Sequence, residues 1–137
     1  MAIATWPNDN KLGAVALKAA GAVTATGNET AVEVGKGAFK CVSNITAIDC
    51  DASDDLFIAV IEANTRNATS TWLEIGTLFA RGNATATGRS TNDSTDEEEI
   101  IVDNPYDYQV RVKTYLPTTT TSGINYTVNA YPLPRKE

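Results

Sequence analysis

The sequence contains no histidine. That absence removes the commonest general base and the commonest metal ligand together. Serine and cysteine nucleophiles paired with an imidazole are thereby excluded. Serine–lysine and carboxylate-pair chemistry remain formally open, but no spacing supports either. The chain is expected to be no enzyme and to need no cofactor.

Two acidic clusters are the next candidates. Asp49-Cys50-Asp51-Ala52-Ser53-Asp54-Asp55 places oxygen-bearing side chains at 49, 51, 53 and 55, as the first half of a calcium loop does. An EF-hand would also want glycine at 54 and glutamate at 60. Asp54 and Val60 stand there instead, so that motif fails. A solvated acidic turn between two strands is the expectation, with an incidental calcium site as the alternative. Asp96-Glu97-Glu98-Glu99 precedes Ile100-Ile101-Val102. Such runs are mostly solvated faces, and this one also guards a hydrophobic strand from aggregation. Pairing with basic residues of a partner is its functional alternative.

Cys41 and Cys50 do not form a disulfide framework. Along one strand, nine steps would set them roughly 30 Å apart. A disulfide needs Cα atoms within about 7 Å. Two buried or half-buried free thiols are expected. Tyr106, Tyr108, Tyr115, Tyr126 and Tyr131 gather toward the C-terminus. Tyr108 and Tyr126 share the apolar parity of their runs and belong to the core. Tyr115 and Tyr131 lie on the wetter parity and are the surface candidates for a sugar platform. Asn-x-Ser/Thr triplets occur at Asn28, Asn44, Asn67, Asn83, Asn92 and Asn125. Glycosylation needs a secretory route, and a Thr- and Asn-rich composition produces such triplets by chance.

The elements that must position these groups are strands. Tyr108, Val110, Val112 and Leu116 alternate with Gln109, Arg111 and Lys113, the period-two signature of a half-buried strand. Ile124, Tyr126, Val128 and Ala130 alternate with Asn125, Thr127 and Asn129. Pro117 to Gly123 joins these runs with turn chemistry. Leu56 to Glu62 is apolar on both faces, short, and rich in branched residues, which favours a central strand over a buried helix. Thr71 to Phe79 sets Leu73, Ile75 and Phe79 on one side. Phe39 to Ile48, 29–34 and 98–102 are further strands. The alanines of 13–23 would allow a helix, yet Gly21, Val23, Thr24 and Thr26 argue for strands. About eight strands and no firm helix predict an all-β, two-sheet antiparallel sandwich of jelly-roll type.

The sandwich is expected to span 13–133, between an N-terminal arm at 1–12 and a tail at 134–137. Arg81 to Glu99 reads as a long loop, and loops of that length are usually functional or disordered. Trp6-Pro7 in the arm calls for a surface to bury against, on its own domain or on a neighbouring subunit.

The chain has 137 residues and a net charge of −6. That length suits one domain with its own core. Acidity repels phosphate backbones, so no nucleic-acid partner is expected. No stretch nears the roughly 18 apolar residues of a membrane span, and the first residues lack the form of a secretory signal. Synthesis and residence in the cytoplasm before any assembly is the expectation.

The order of phrases carries one resemblance. Ala19-Ala-Gly-Ala-Val-Thr-Ala-Thr-Gly27 leads to Ala31-Val-Glu-Val-Gly35, then to a long strand, an acidic turn and Leu56-Phe-Ile-Ala-Val-Ile-Glu62. Ser70-Thr-Trp-Leu-Glu-Ile-Gly76 and Tyr106-Asp-Tyr-Gln-Val-Arg-Val112 follow. Over about 14–131 this resembles tailed-phage head decoration, or cement, proteins of jelly-roll type. The resemblance implies a trimer on the exterior of a virion capsid. It also implies the major capsid protein as partner and contacts that are clamped rather than catalysed. No catalytic residue comes with it. From composition, the arm and the 81–99 segment are the natural contact elements, with Ile3, Trp6, Pro7, Arg81, Arg89, Glu97 and Glu98 as candidate contacts. A tail or baseplate accessory module binding host-surface glycans is the alternative function.

Overall fold

The computed structural model describes residues 15–49, 56–82, 96–116 and 123–133. Ten strands occupy them: β1 (Val15–Lys18), β2 (Ala22–Val23), β3 (Gly27–Asn28), β4 (Val32–Glu33), β5 (Gly37–Asp49), β6 (Leu56–Thr65), β7 (Ala68–Gly82), β8 (Asp96–Asn104), β9 (Gln109–Tyr115) and β10 (Gly123–Pro132). No helix occurs among the described residues, so none there is long and apolar enough to cross a membrane.

All pairings are antiparallel and form two sheets. The first runs β1-β10-β5-β8, with β2 also on β10. The second runs β3-β9-β6-β7, with β4 also on β9. β1 and β2 are thus one interrupted strand, and so are β3 and β4. Counted that way there are eight, and every connection except the β6–β7 hairpin crosses from one sheet to the other. That order is the jelly roll, two Greek keys folded face to face.

The alternation read from β9 and β10 holds. Val110, Val112 and Thr114 of β9, and Ile124, Tyr126, Val128 and Ala130 of β10, face inward and are buried. Phe39, Cys41 and Ile45 of β5 and Phe57, Ala59, Ile61 and Ala63 of β6 meet them in one core. Full burial of each large side chain contributes about 1.5–3 kcal/mol. β6 is central in its sheet, between β9 and β7, as its doubly apolar pattern predicts.

Bulges break the alternation elsewhere. Ala59 pairs with Phe79 and Val60 with Thr77, so Leu78 is an extra residue and both Leu78 and Phe79 enter the core. A second shift, between Ile61–Gly76 and Glu62–Glu74, leaves Ile75 over. Leu73, expected beside Ile75 and Phe79, is instead 48% exposed. An insertion of one residue reverses which face a side chain takes. The segment read as a loop over 81–99 also needs correcting at both ends. Arg81 and Gly82 continue β7, and Asp96 to Glu99 begin β8. Acids have low strand propensity, but the 13-residue β5 offers a ladder long enough to enlist them.

Turns are fixed locally. Gly37 opens β5 at φ +126°, a region that only glycine enters without strain. Asn104, fully buried, donates from Nδ2 to the Gly35 carbonyl and accepts from the Tyr106 amide through Oδ1. The pairings Asp49–Gly123, Leu56–Gly82 and Ile45–Asp96 gather these strand ends at one end of the sandwich. Val15 pairs with Ala130 toward the other.

Gly76 is the close approach that lets β7 lie against β8 across the side of the sandwich. A Cβ there would stand 3.3 Å from Val102 Cγ2 and 3.5 Å from both Ile100 Cδ1 and Ile61 Cγ2. Overpacking of this kind typically costs about 1–3 kcal/mol. Gly76→Val is therefore expected to lower the unfolding free energy by about that amount in urea titration, with Gly76→Ala losing less.

Candidate interaction surfaces

Two buried arrangements brace the fold. At the break between β1 and β2 the Lys18 side chain turns inward and is 4% exposed. Its Nζ donates to the carbonyls of Tyr126 at 2.7 Å, Ala19 at 3.1 Å and Gly21 at 3.1 Å. An ammonium has three donors, and all three are used. The charge also sits 4.5 Å above the Tyr126 ring. Burial lowers the Lys18 pKa, and Glu29 opposes that shift. The Tyr126 hydroxyl is hydrogen-bonded to Thr114 Oγ1 at 2.5 Å, joining β10 to β9 across the core. Its ring meets Phe79 of β7 edge-on, with centroids 4.9 Å apart.

The outer face of the second sheet is partly covered by its own side chains. Val60, Glu62 and Asn64 point outward from β6 and are nevertheless buried. Long neighbours cover them. Arg111 Nε donates to Glu62 Oε1 at 2.8 Å, beneath the Trp72 ring, 4.0 Å from the guanidinium. Asn64 Nδ2 donates to Thr69 O and Gln109 Oε1. Arg66, in the β6–β7 turn, bonds Glu33 at 2.8 Å and lies 4.5 Å from the Tyr108 ring. Beside these, Ile58, Val60, Glu74, Thr77, Ala80 and Tyr115 line a shallow depression of about 500 Å³. Lys113 Nζ stands 4.8 Å from the Tyr115 ring at its margin.

The outer face of the first sheet is polar. Asn125, Thr127, Asn129 and Tyr131 of β10 lie beside Lys40, Val42 and Asn44 of β5. Beyond them, at the sheet's edge, Glu97, Glu99, Ile101 and Asp103 of β8 are all exposed, Ile101 by 66%. Lys40 Nζ is 3.7 Å from Glu99 Oε1.

The residues singled out from sequence fall as follows. Glu97 lies on the exposed outer row of β8, and Glu98 is half-buried on the opposite parity. Arg81 belongs to β7, paired with Phe57. Ile3, Trp6, Pro7 and Arg89 lie outside the described residues, as do Cys50 and 51–55 of the acidic turn. Tyr126 is in the core as expected, whereas Tyr108, also expected there, is only half-buried, under Arg66. Tyr115 and Tyr131 are on opposite outer faces, one per sheet, so they form no joint platform. Cys41 is a free buried thiol. Among the described residues no three metal-ligating side chains converge. Sequence reasoning missed Lys18 and Glu62 as buried charges. The facing of Arg111 and Glu62 across paired strands was the available signal for the second.

No protein-family model matches the chain, and no curated protein matches it. Among solved structures it is similar to a chain in a structure of infectious bursal disease virus, Gx strain. The identity is 8% and the TM-score 0.44, over 88% of this chain and 32% of that one. This chain therefore spans about a third of the viral chain's length.

Two outcomes follow from the buried groups. Removing one member of a buried ion pair strands the other, at a typical cost of 3–5 kcal/mol. Arg111→Ala is expected to cost on the order of 3 kcal/mol by chemical denaturation, and the Glu62→Leu/Arg111→Met pair to recover most of the loss. Burial pushes the Cys41 thiol from 9.0 to about 12 and the Tyr126 phenol from 10.0 to about 12. The fold keeps protons that the unfolded chain releases, so stability from both groups is complete below pH 9 and falls as pH rises toward 12. Lys18, with its pKa lowered, acts with the opposite sign as pH climbs toward 10.5. Replacing Cys41 by Ala is expected to move the onset of alkaline loss from near pH 9 to near pH 10, read from denaturation midpoints across that range.

Proposed function

We propose that this protein is a capsid decoration, or cement, protein that binds the outer surface of a phage head and stabilises contacts between major capsid subunits. The observation that carries the reading is the jelly-roll sandwich itself, the fold that the sequence resemblance to decoration proteins implies. A cement protein needs a stiff body with broad exterior faces and needs no reaction centre. Both outer faces here are strand ladders tied by cross-strand contacts, such as Arg111 on Glu62 and Lys40 on Glu99. In such a role, affinity comes from multivalency as well as from contact area, because one closed oligomer grips several subunits at once. A trimer on the capsid exterior, bound to the major capsid protein, is the arrangement this reading adopts.

One observation favours a second reading. The Tyr115 ring beside the shallow apolar depression is the kind of surface on which a sugar ring stacks, as a tail or baseplate module binding host glycans would require. Quantitative mass spectrometry and cryo-electron microscopy of the source particle separate the two. Decoration predicts copies in fixed stoichiometry with the major capsid protein and density on the shell exterior. Low copy number with glycan-array hits that Tyr115→Ala abolishes would transfer the function to the second reading. Purified virions lacking this chain would remove the first.

A further inference from the structure

A jelly roll has four sheet edges, and three of them here are spoiled for pairing. β1 and β2 are separated by a break and a register shift between Ala16 and Lys18. β3 and β4 are two-residue fragments. β7 carries three register shifts. Short strands and bulges are the usual means of closing an edge to other chains. The fourth edge, β8, is different. It pairs with β5 through nine consecutive residue pairs, Gly37–Asn104 to Ile45–Asp96, without a shift. β7 touches it from the other sheet but is not paired with it.

The side chains along β8 specify what could pair there. On its outer row Glu97, Glu99, Ile101 and Asp103 follow one another at alternate positions, all exposed. Lys40 of β5 is the one cation facing this row among the described residues. A second copy of β8 is a poor occupant. Two-fold antiparallel pairing centred on 99, 100 or 101 sets Glu99 against Glu99, Glu97 against Asp103, or Glu99 against Asp103. Like charges directly opposite are destabilising in a ladder. A strand with lysine or arginine opposite 97, 99 and 103, and an aliphatic residue opposite Ile101, satisfies every position.

We propose that β8 is a strand-addition site for an extended segment of another protein. That segment carries basic residues at alternate positions, interrupted by one apolar residue opposite Ile101. Main-chain hydrogen bonds to this edge, which no second strand among the described residues occupies, supply affinity, and the alternating side chains supply selectivity. The proposal rests on the edge geometry and not on the capsid reading, and it is tested with the isolated protein.

The probe is the capped peptide Thr-Lys-Thr-Val-Thr-Lys-Thr-Lys-Thr, titrated into the full chain and followed by amide NMR shifts and hydrogen exchange. The expected result is shifts concentrated at 96–104 and slowed exchange of β8 amides. At least a tenfold loss of affinity is expected on Glu97→Lys/Glu99→Lys, with an unchanged circular dichroism spectrum. The same peptide with glutamate for lysine should not bind, and one with proline for the threonines flanking valine should lose binding. Four results would overturn the proposal. The first is no β8 response at millimolar peptide, which would leave the acids as guards of the edge. The others are shifts spread over the whole acidic surface, equal binding of the proline peptide, or equal binding by the doubly substituted protein. None of these outcomes bears on virion stoichiometry, so failure here and failure of the decoration reading remain distinguishable.

Discussion

The hydrogen bond between the Tyr126 hydroxyl and Thr114 Oγ1 crosses the interior from one sheet to the other, and much of the molecule is arranged around it. A sandwich core is otherwise non-directional; apolar side chains tolerate sliding of one layer over the other. A buried polar pair does not, because displacement leaves both oxygens without partners in a low-dielectric interior. The same tyrosine receives Phe79 on its ring edge and Lys18 on its face. Its carbonyl accepts the shortest of the Lys18 hydrogen bonds. Four strands, β1, β7, β9 and β10, are thereby registered through one side chain.

Lys18 is buried where the first strand is interrupted, and a buried ammonium is costly unless its donors are paired. Where β1 ends, the carbonyls of Ala19 and Gly21, both exposed residues, leave the ladder and are free to accept. The ammonium gathers them with Tyr126 O. The outer face of β6 shows the same logic on a larger scale. A central strand that is apolar on both sides would expose Ile58 and Val60. Trp72, Arg111, Lys113 and Tyr115 lie across that face and leave only a shallow hollow over it.

How much of this was legible in the sequence depends on bulges. β9 and β10 could be read residue by residue, because inward Val110, Val112, Ile124, Tyr126 and Val128 keep strict alternation. β7 could not, because Ile75 and Leu78 are supernumerary and nothing in the string Leu-Glu-Ile-Gly-Thr-Leu-Phe marks where the ladder skips. Lys18 was illegible for another reason: lysine is almost never fully buried, and the carbonyls that admit it are assembled from Tyr126, more than a hundred residues away. Asp96 to Glu99 read as loop because their propensity is poor, while their pairing is decided by the partner β5. As for surfaces, the exposed row of β8 needs the sheet order as well as the sequence, since only the order shows that β8 has no second strand neighbour among the described residues.

Val15 pairs with Ala130, so the two ends of the sandwich's chain lie side by side on neighbouring antiparallel strands. Tension drawn through both ends would open the β1–β10 ladder one rung after another, like a zipper. Tension drawn between the outer faces would have to part the whole interior, with the Tyr126–Thr114 bond in it, at once. The body is therefore mechanically anisotropic: compliant along the line of its ends and stiff across its layers. A tether at the ends would yield before the slab deforms.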